Sequence, residues 1–137
     1  MKIPQFLNIA RGSDNRLKAK DRVLALIGKD GSAKAFQISQ FNKPIIIQGF
    51  LDGEQFNVVI SGKDNLAIAF LTDENLYIET WNIENGNITL VSQTTGQSYD
   101  ILGNPKDGAG DKLTAGNGFI AYWFSVAAFY PNTELYQ

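Results

Sequence analysis

Three turn-forming pairs, Asp30 with Gly31, Asp52 with Gly53 and Asn85 with Gly86, each lie between two short apolar runs, and this arrangement constrains the fold more than any other feature of the chain. Asp-Gly and Asn-Gly pairs supply the positive φ angles of tight hairpin turns, whose twist matches that of the strands they join. The first pair links Arg22 to Ile27 with Ala33 to Ile38. The second links Ile45 to Phe50, which follows the break at Pro44, with Phe56 to Ile60. The third links Leu76 to Ile83 with Ile88 to Ser92. Turn signals recur at short, fairly even spacing from Gly28 to Gly118, without internal repeats, low-complexity tracts or linkers. The expectation is one mainly β domain over residues 1–137, with antiparallel hairpins forming a sheet or a partly closed barrel.

Between these hairpins, Leu66 to Leu71 is continuously apolar, as expected of a strand buried on both faces. Leu76 to Ile83 alternates, which puts Tyr77 and Trp81 on one face and Leu76 and Ile78 on the other. Ser98 to Leu102 reads as a shorter strand, ended by the glycines and proline of LGNPKDGAGDK. In the closing segment Phe119, Tyr122, Trp123, Val126 and Tyr130 fall at intervals of three and four. Asn117 is placed to cap a helix and Pro131 cannot continue one, so Phe119 to Phe129 is expected to be helical. The aromatic run FIAYWF keeps a strand open there, and α+β is the alternative class. Trp123 and Phe124 are expected in the core.

The chain has 137 residues, 44% of them hydrophobic and 12% aromatic, with 19% charged. A domain of this size hides roughly 70% of its unfolded surface, enough for a real core. The net charge of −2 conceals an asymmetry: residues 1–29 carry seven Lys or Arg against Asp14 and Asp21, and the remainder five against twelve acids. A basic segment lying on its own acidic body explains this better than a nucleic-acid arm, because the chain is not basic overall and the segment lacks interleaved aromatics. No run approaches the ~20 apolar residues of a membrane helix, and MKIPQFLNIARGSDNRLK lacks the apolar stretch of a secretory leader. The chain as it stands is expected in the cytoplasm, or outside it if a leader has been removed.

With neither His nor Cys in the sequence, the commonest general base, thiol nucleophile and metal ligand are missing. Carboxylates, Lys, Tyr, Ser and Thr remain. The acid pairs Asp52 with Glu54, Asp73 with Glu74 and Glu79 with Glu84 are candidates, although the first two sit at turns where solvated charge is ordinary. The loop from Asp107 to Asp111 lacks the spaced oxygen ligands of a calcium loop, and GKDGSAK at Gly28 to Lys34 lacks the spacing of a phosphate loop. Tyr77, Trp81 and Tyr99 are read either as an aromatic platform for a sugar or peptide or, preferably, as packing between a sheet face and the C-terminal helix.

The segments DRVLALIGKDGSAKAFQIS, PIIIQGFLDGE, AIAF, TTGQSYDILGNPKDGAGDKL and AYWFSVAAFYPNTELY stand in an order and spacing that resembles the domain of unknown function family DUF3179, from about Asp21 to Tyr136. The resemblance implies no assigned activity. It also exposes losses. Where relatives commonly carry a Cys-Pro-x-Cys-like segment ahead of AIAF, this chain has Ser61, Gly62, Lys63 and Asp64. Where they carry Asn-Asp it has Gln48 and Gly49, and their upstream histidine has no counterpart. The tryptophan that usually closes their Thr-Gly-Ser-x-Trp segment is Tyr99. If the family's site uses thiolate or imidazole, this member is expected to have lost that chemistry.

The expected function is therefore a non-catalytic binding or assembly domain without a cofactor, taking a small molecule or a protein, with a homodimer as one form. Ser61, Asp64, Tyr99 and Asp100 are the candidate ligand-binding residues. The alternative is a small enzyme using carboxylates or a tyrosine, with Asp64, Tyr99 and Asp100 converging in one cleft.

Overall fold

The computed structural model describes residues 16–136. The chain runs through β1 (Arg22–Ile27), β2 (Ala33–Gln37), β3 (Ile45–Leu51), β4 (Glu54–Ser61), β5 (Leu66–Leu71), β6 (Leu76–Asn82), β7 (Asn87–Ser92), β8 (Ser98–Tyr99), β9 (Thr114–Ala115) and β10 (Gly118–Tyr122). It closes with the helix α1 (Trp123–Phe129) and β11 (Glu134–Leu135). All three expected hairpins form, β1 with β2, β3 with β4 and β6 with β7. At the second turn Asp52 and Gly53 both take positive φ, the geometry expected of that pair. The third connection is longer than a two-residue turn. A single 3-10 turn at Ile83–Asn85 is capped by the Asn82 side chain, and only Gly86 crosses into positive φ.

The strands distribute over three stacked sheets. The outer sheet has the order β10-β1-β2-β11, with β11 parallel to β2; the central sheet is β3-β4-β5-β9; the third is β6-β7-β8. Side-chain alternation explains the stacking. Leu24, Leu26 and Phe36 of the outer sheet meet Ile47, Phe56, Val58 and Ile60 of the central one. The intervening residues of β1 and β2, Val23, Ala25 and Ala35, face the other way and pack on Trp123, Val126 and Ala127 of α1. Val59 and Phe70, on the far side of the central sheet, meet Leu76, Ile88, Leu90 and Tyr99. The molecule thus has four layers, helix and three sheets, and β1 and β4 are each covered on both faces. That accounts for the apolar reading of RVLALI and of VVI, since a strand between two layers has no polar side. The doubly buried central strand is β4 and not β5, whose Leu66 to Ile68 are only half-buried.

Two expectations fail at specific places. The predicted helix Phe119–Phe129 is a strand followed by a helix of seven residues. Gly118 to Tyr122 pair with Leu26 to Arg22 along the edge of the outer sheet, and the helix begins only at Trp123. Trp123, Val126 and Ala127 are its buried stripe, whereas Phe124 is 42% exposed. Asn117 does not cap it. The first helical N–H groups, ordinarily left unpaired, are met from outside: Trp123 N–H donates to Asp21 O at 2.8 Å and Phe124 N–H to Ala19 O at 2.9 Å.

The second failure is the parity of β6. Ile78 pairs with Leu90 and Thr80 with Thr89, which leaves Glu79 as an extra, bulged residue. Past the bulge the faces exchange. Leu76, Ile78 and Trp81 all turn toward the central sheet, and Tyr77 is directed to solvent. The proposed trio of Tyr77, Trp81 and Tyr99 therefore forms no platform, and none of its members packs on α1, which lies two sheets away. Residues 1–15 of the basic N-terminal segment, with Lys2 and Arg11, lie outside the described residues, and its other five Lys and Arg lie within them. Of its described part, Arg16 lies 5.1 Å over the Trp123 ring and Lys29 reaches Glu54 at 3.9 Å.

Candidate functional site

Ser61 and Asp64 are brought together at the turn between β4 and β5. Ser61 Oγ donates to Asp64 Oδ2 at 2.7 Å, and Asp64 N–H returns to Ser61 Oγ at 3.3 Å. The indole Nε1 of Trp81 donates to the same Oδ2 at 2.9 Å, which the β6 bulge makes possible by turning Trp81 inward. The Ser61 hydroxyl, then the indole, hold the Asp64 carboxyl below its usual value. Oδ2 is thus a hydrogen-bonded clasp between the central and third sheets.

Tyr99 belongs to a different cluster. Its ring is buried between the central and third sheets and its hydroxyl lies 3.3 Å from both oxygens of Glu74, which also accepts from Thr95 Oγ1 at 3.4 Å. Burial, then the charge of Glu74, raises the phenol above its usual value. Glu74 precedes β6 and Trp81 lies near its end. Five residue steps from Leu76 to Trp81, at about 3.3 Å each, set the two clusters roughly 16 Å apart along the strand.

Asp100 is occupied locally. Its Oδ1 accepts from Leu102 N–H and Asn104 N–H, each at 2.9 Å, and its Oδ2 from Asn104 Nδ2 at 3.2 Å. Burial pushes this carboxyl upward, but the bonds from Asn104 and Leu102 outweigh it and leave the group below its usual value. DILGN is consequently a side-chain-stapled turn. Asp107 plays the same part in the next loop, accepting from Ala109 N–H and from Gln97 Nε2, each at 2.9 Å.

Sequence reading passed over a polar group as deeply buried as Ser61. Asn57, with no exposed surface, accepts at Oδ1 from Gln48 Nε2 (3.0 Å) and Leu76 N–H (3.1 Å) and donates from Nδ2 to Glu74 O (2.9 Å) and Thr72 O (3.4 Å). Gln48 Nε2 also reaches Leu76 O at 3.1 Å. This network pins the β5–β6 link to the central sheet. Its signal was one Asn inside the apolar run FNVVI, where an unpaired amide is costly.

Four described cavities, of about 180 to 340 Å³, have other linings. One lies between β2, β11 and the edge strand β3, with Lys34, Gln48, Glu134 and Tyr136 at its walls. None of the four is lined by Ser61, Asp64, Tyr99 or Asp100. Among the described residues no group of three or more carboxylates stands close enough to hold a metal ion, and no helix is long and apolar enough to cross a membrane.

A helix-backed stack of three small sheets, with polar groups used as clasps and staples, defines a mainly β domain. The chain belongs to the family described as protein of unknown function (DUF3179), whose model matches residues 2–133. That match takes in the basic N-terminal segment as well as the hairpins. No curated protein and no solved structure matches the chain.

Proposed function

We propose that this chain is a non-catalytic assembly domain whose partner is a second copy of itself, joined through the edge strand β10. The observation that carries the reading is the outer side of that strand. Ile27 N–H donates to Asn117 O and Trp123 N–H to Asp21 O. By the alternation of an antiparallel ladder, odd-numbered residues of β10 therefore bond to β1. Ile120 and Tyr122 then direct their backbone N–H and C=O groups outward, and no described residue meets them.

The side chains around that edge are apolar. Phe119, Ile120, Tyr122, Phe124 and Phe129 are all among the exposed large hydrophobic residues. At about 200 Å² for each aromatic side chain, their exposed fractions amount to on the order of 500 Å², a large part of the ~800 Å² that a standard interface takes from each partner. An uncharged, β-prone edge of this kind associates unless it is covered. A two-fold axis at Ile120 sets Ile120 opposite its own copy and Gly118 opposite Tyr122, so the same short strand supplies both halves of the ladder.

The alternative of a small carboxylate or tyrosine enzyme needs Asp64, Tyr99 and Asp100 in one cleft. Their separate engagements weigh against it. The test is mass by light scattering over a concentration series, for the wild type and for Ile120→Pro. Proline removes only an outward N–H, so the ladder to β1 survives. The expected result is a dimer that the substitution converts to a monomer with an unchanged circular dichroism spectrum. A wild-type monomer at every concentration, or turnover of a generic ester or phosphoester, overturns the reading.

A further inference from the structure

At one end of the sandwich the start of β1, the 3-10 turn Ile38–Gln40 and the β4–β5 turn border an open surface pocket of about 180 Å³ lined by Lys20, Asp21, Arg22, Ser39, Gly62 and Asn65, with Ile38 behind them. We infer that this pocket is a binding site for a single phosphate group. Its volume equals about six waters at ~30 Å³ each, room for one tetrahedral oxyanion and part of its hydration shell.

The lining is rich in donors, and those donors are uncommitted. Lys20 and Arg22 make no ion pair or side-chain hydrogen bond with any described residue. Leu24 and Leu26 face the central sheet, so Arg22, two further along the same alternation, projects toward that layer and over the β4–β5 turn. A planar guanidinium beside an ammonium suits a phosphate better than a halide, because the fork of N–H groups matches two oxygens at once. The Ser39 hydroxyl and the Asn65 amide add neutral donors.

The carboxylates at this end are already engaged. Asp21 Oδ2 accepts from Lys18 N–H at 3.0 Å and Gln37 Nε2 at 3.2 Å, and Asp64 Oδ2 accepts from Ser61 and Trp81. The floor is made of backbone. Gly62 N–H donates to Phe41 O at 2.6 Å, and a Cβ at position 62 would stand 2.5 Å from Ile38 O and 2.8 Å from Phe41 O. Only glycine lets the β4–β5 turn sit so close to the 3-10 turn, and this close approach shapes the pocket.

The test is an amide chemical-shift titration of the full chain with sodium phosphate, against sodium chloride at equal ionic strength. Saturable shifts at Ser39, Gly62 and Asn65 in the phosphate arm alone are expected. The Lys20→Gln, Arg22→Gln double variant should bind at least about tenfold more weakly, since two charged donors are lost. Asn65→Gly gives a second, independent variant. Residue 65 has a φ of 53°, which glycine adopts freely, so removing the amide should weaken binding several-fold without unfolding. Glycerol phosphate in a parallel arm separates the sources: equal affinity means a site open to phosphoesters, and loss of affinity means a site for the free ion. Shifts reproduced by chloride, or affinity unchanged in both variants, overturn the proposal.

Discussion

Trp81 Nε1 donates to Asp64 Oδ2 at 2.9 Å, and this bond ties the third sheet to the β4–β5 turn of the central one. It exists because Glu79 is bulged out of β6, which turns the indole inward. The Ser61 hydroxyl and the indole both favour the ionised carboxyl, so the folded-state value of Asp64 lies below its usual 3.8. The linked stability is present above 3.8 and is lost as the pH falls through the folded-state value. Trp81→Phe should lower the melting temperature at neutral pH and flatten the acid limb of stability. Urea midpoints measured from neutral pH to below 3.8 check this; identical acid limbs in the two proteins would show that the bond is not linked to folding.

Asn57 has all four amide positions committed, and its removal strands the N–H of the buried Leu76. Asn57→Leu keeps the branched shape and adds apolar surface, but leaves Leu76 N–H and Glu74 C=O unpaired. A loss of about 2–4 kcal/mol is expected in urea unfolding, with an unchanged m value. Gln48→Leu, at the exposed end of the same network, should cost less than about 1 kcal/mol. Equal losses at the two positions would mean that burial is not what makes the network matter.

The three hairpins were readable because their turn pairs and apolar runs are local signals, and β1 to β7 stand within a residue or two of where those signals put them. What escaped depends on contacts that no short window contains. GFIAY has both strand and helix features, and pairing with β1, nearly a hundred residues earlier, decides for the strand. The bulge at Glu79 leaves no local mark, yet it reverses the face of Trp81. Of the candidate residues, Ser61 and Asp64 were singled out only through the family resemblance, and the β4–β5 turn brings the two together. Tyr99 and Asp100 are adjacent in sequence but part in space: the phenol goes to Glu74 while the carboxylate folds back on its own turn.

Gly62 is required for space and not for conformation. Its φ is not in the left-handed range, but a Cβ would press on two carbonyl oxygens that cannot move aside. Gly62→Ala should therefore destabilise by about 2–3 kcal/mol through overpacking. Gly86→Ala faces open space and suffers only from its φ of 68°, a penalty of about 1 kcal/mol. Thermal unfolding of the two variants side by side should rank Gly62 as the more sensitive position, and the reverse order would refute the steric account.

Tyr99 supplies the alkaline counterpart of Asp64. Burial and the neighbouring Glu74 carboxylate both oppose ionisation, so the folded-state value lies above the usual 10.0. A group with a raised folded-state value contributes stability that is complete below 10.0 and disappears as the pH rises through the folded-state value. Ionising the phenol sets its charge against Glu74 at 3.3 Å. Tyr99→Phe removes the titrating group along with its hydrogen bond. The variant should be less stable than the wild type at neutral pH and should lose less stability above pH 10.0. Ultraviolet difference titration should show one late-ionising phenol, and that late component should vanish in Tyr99→Phe. If the late component persists in the variant, the late phenol is not Tyr99 and its link to Glu74 is wrong.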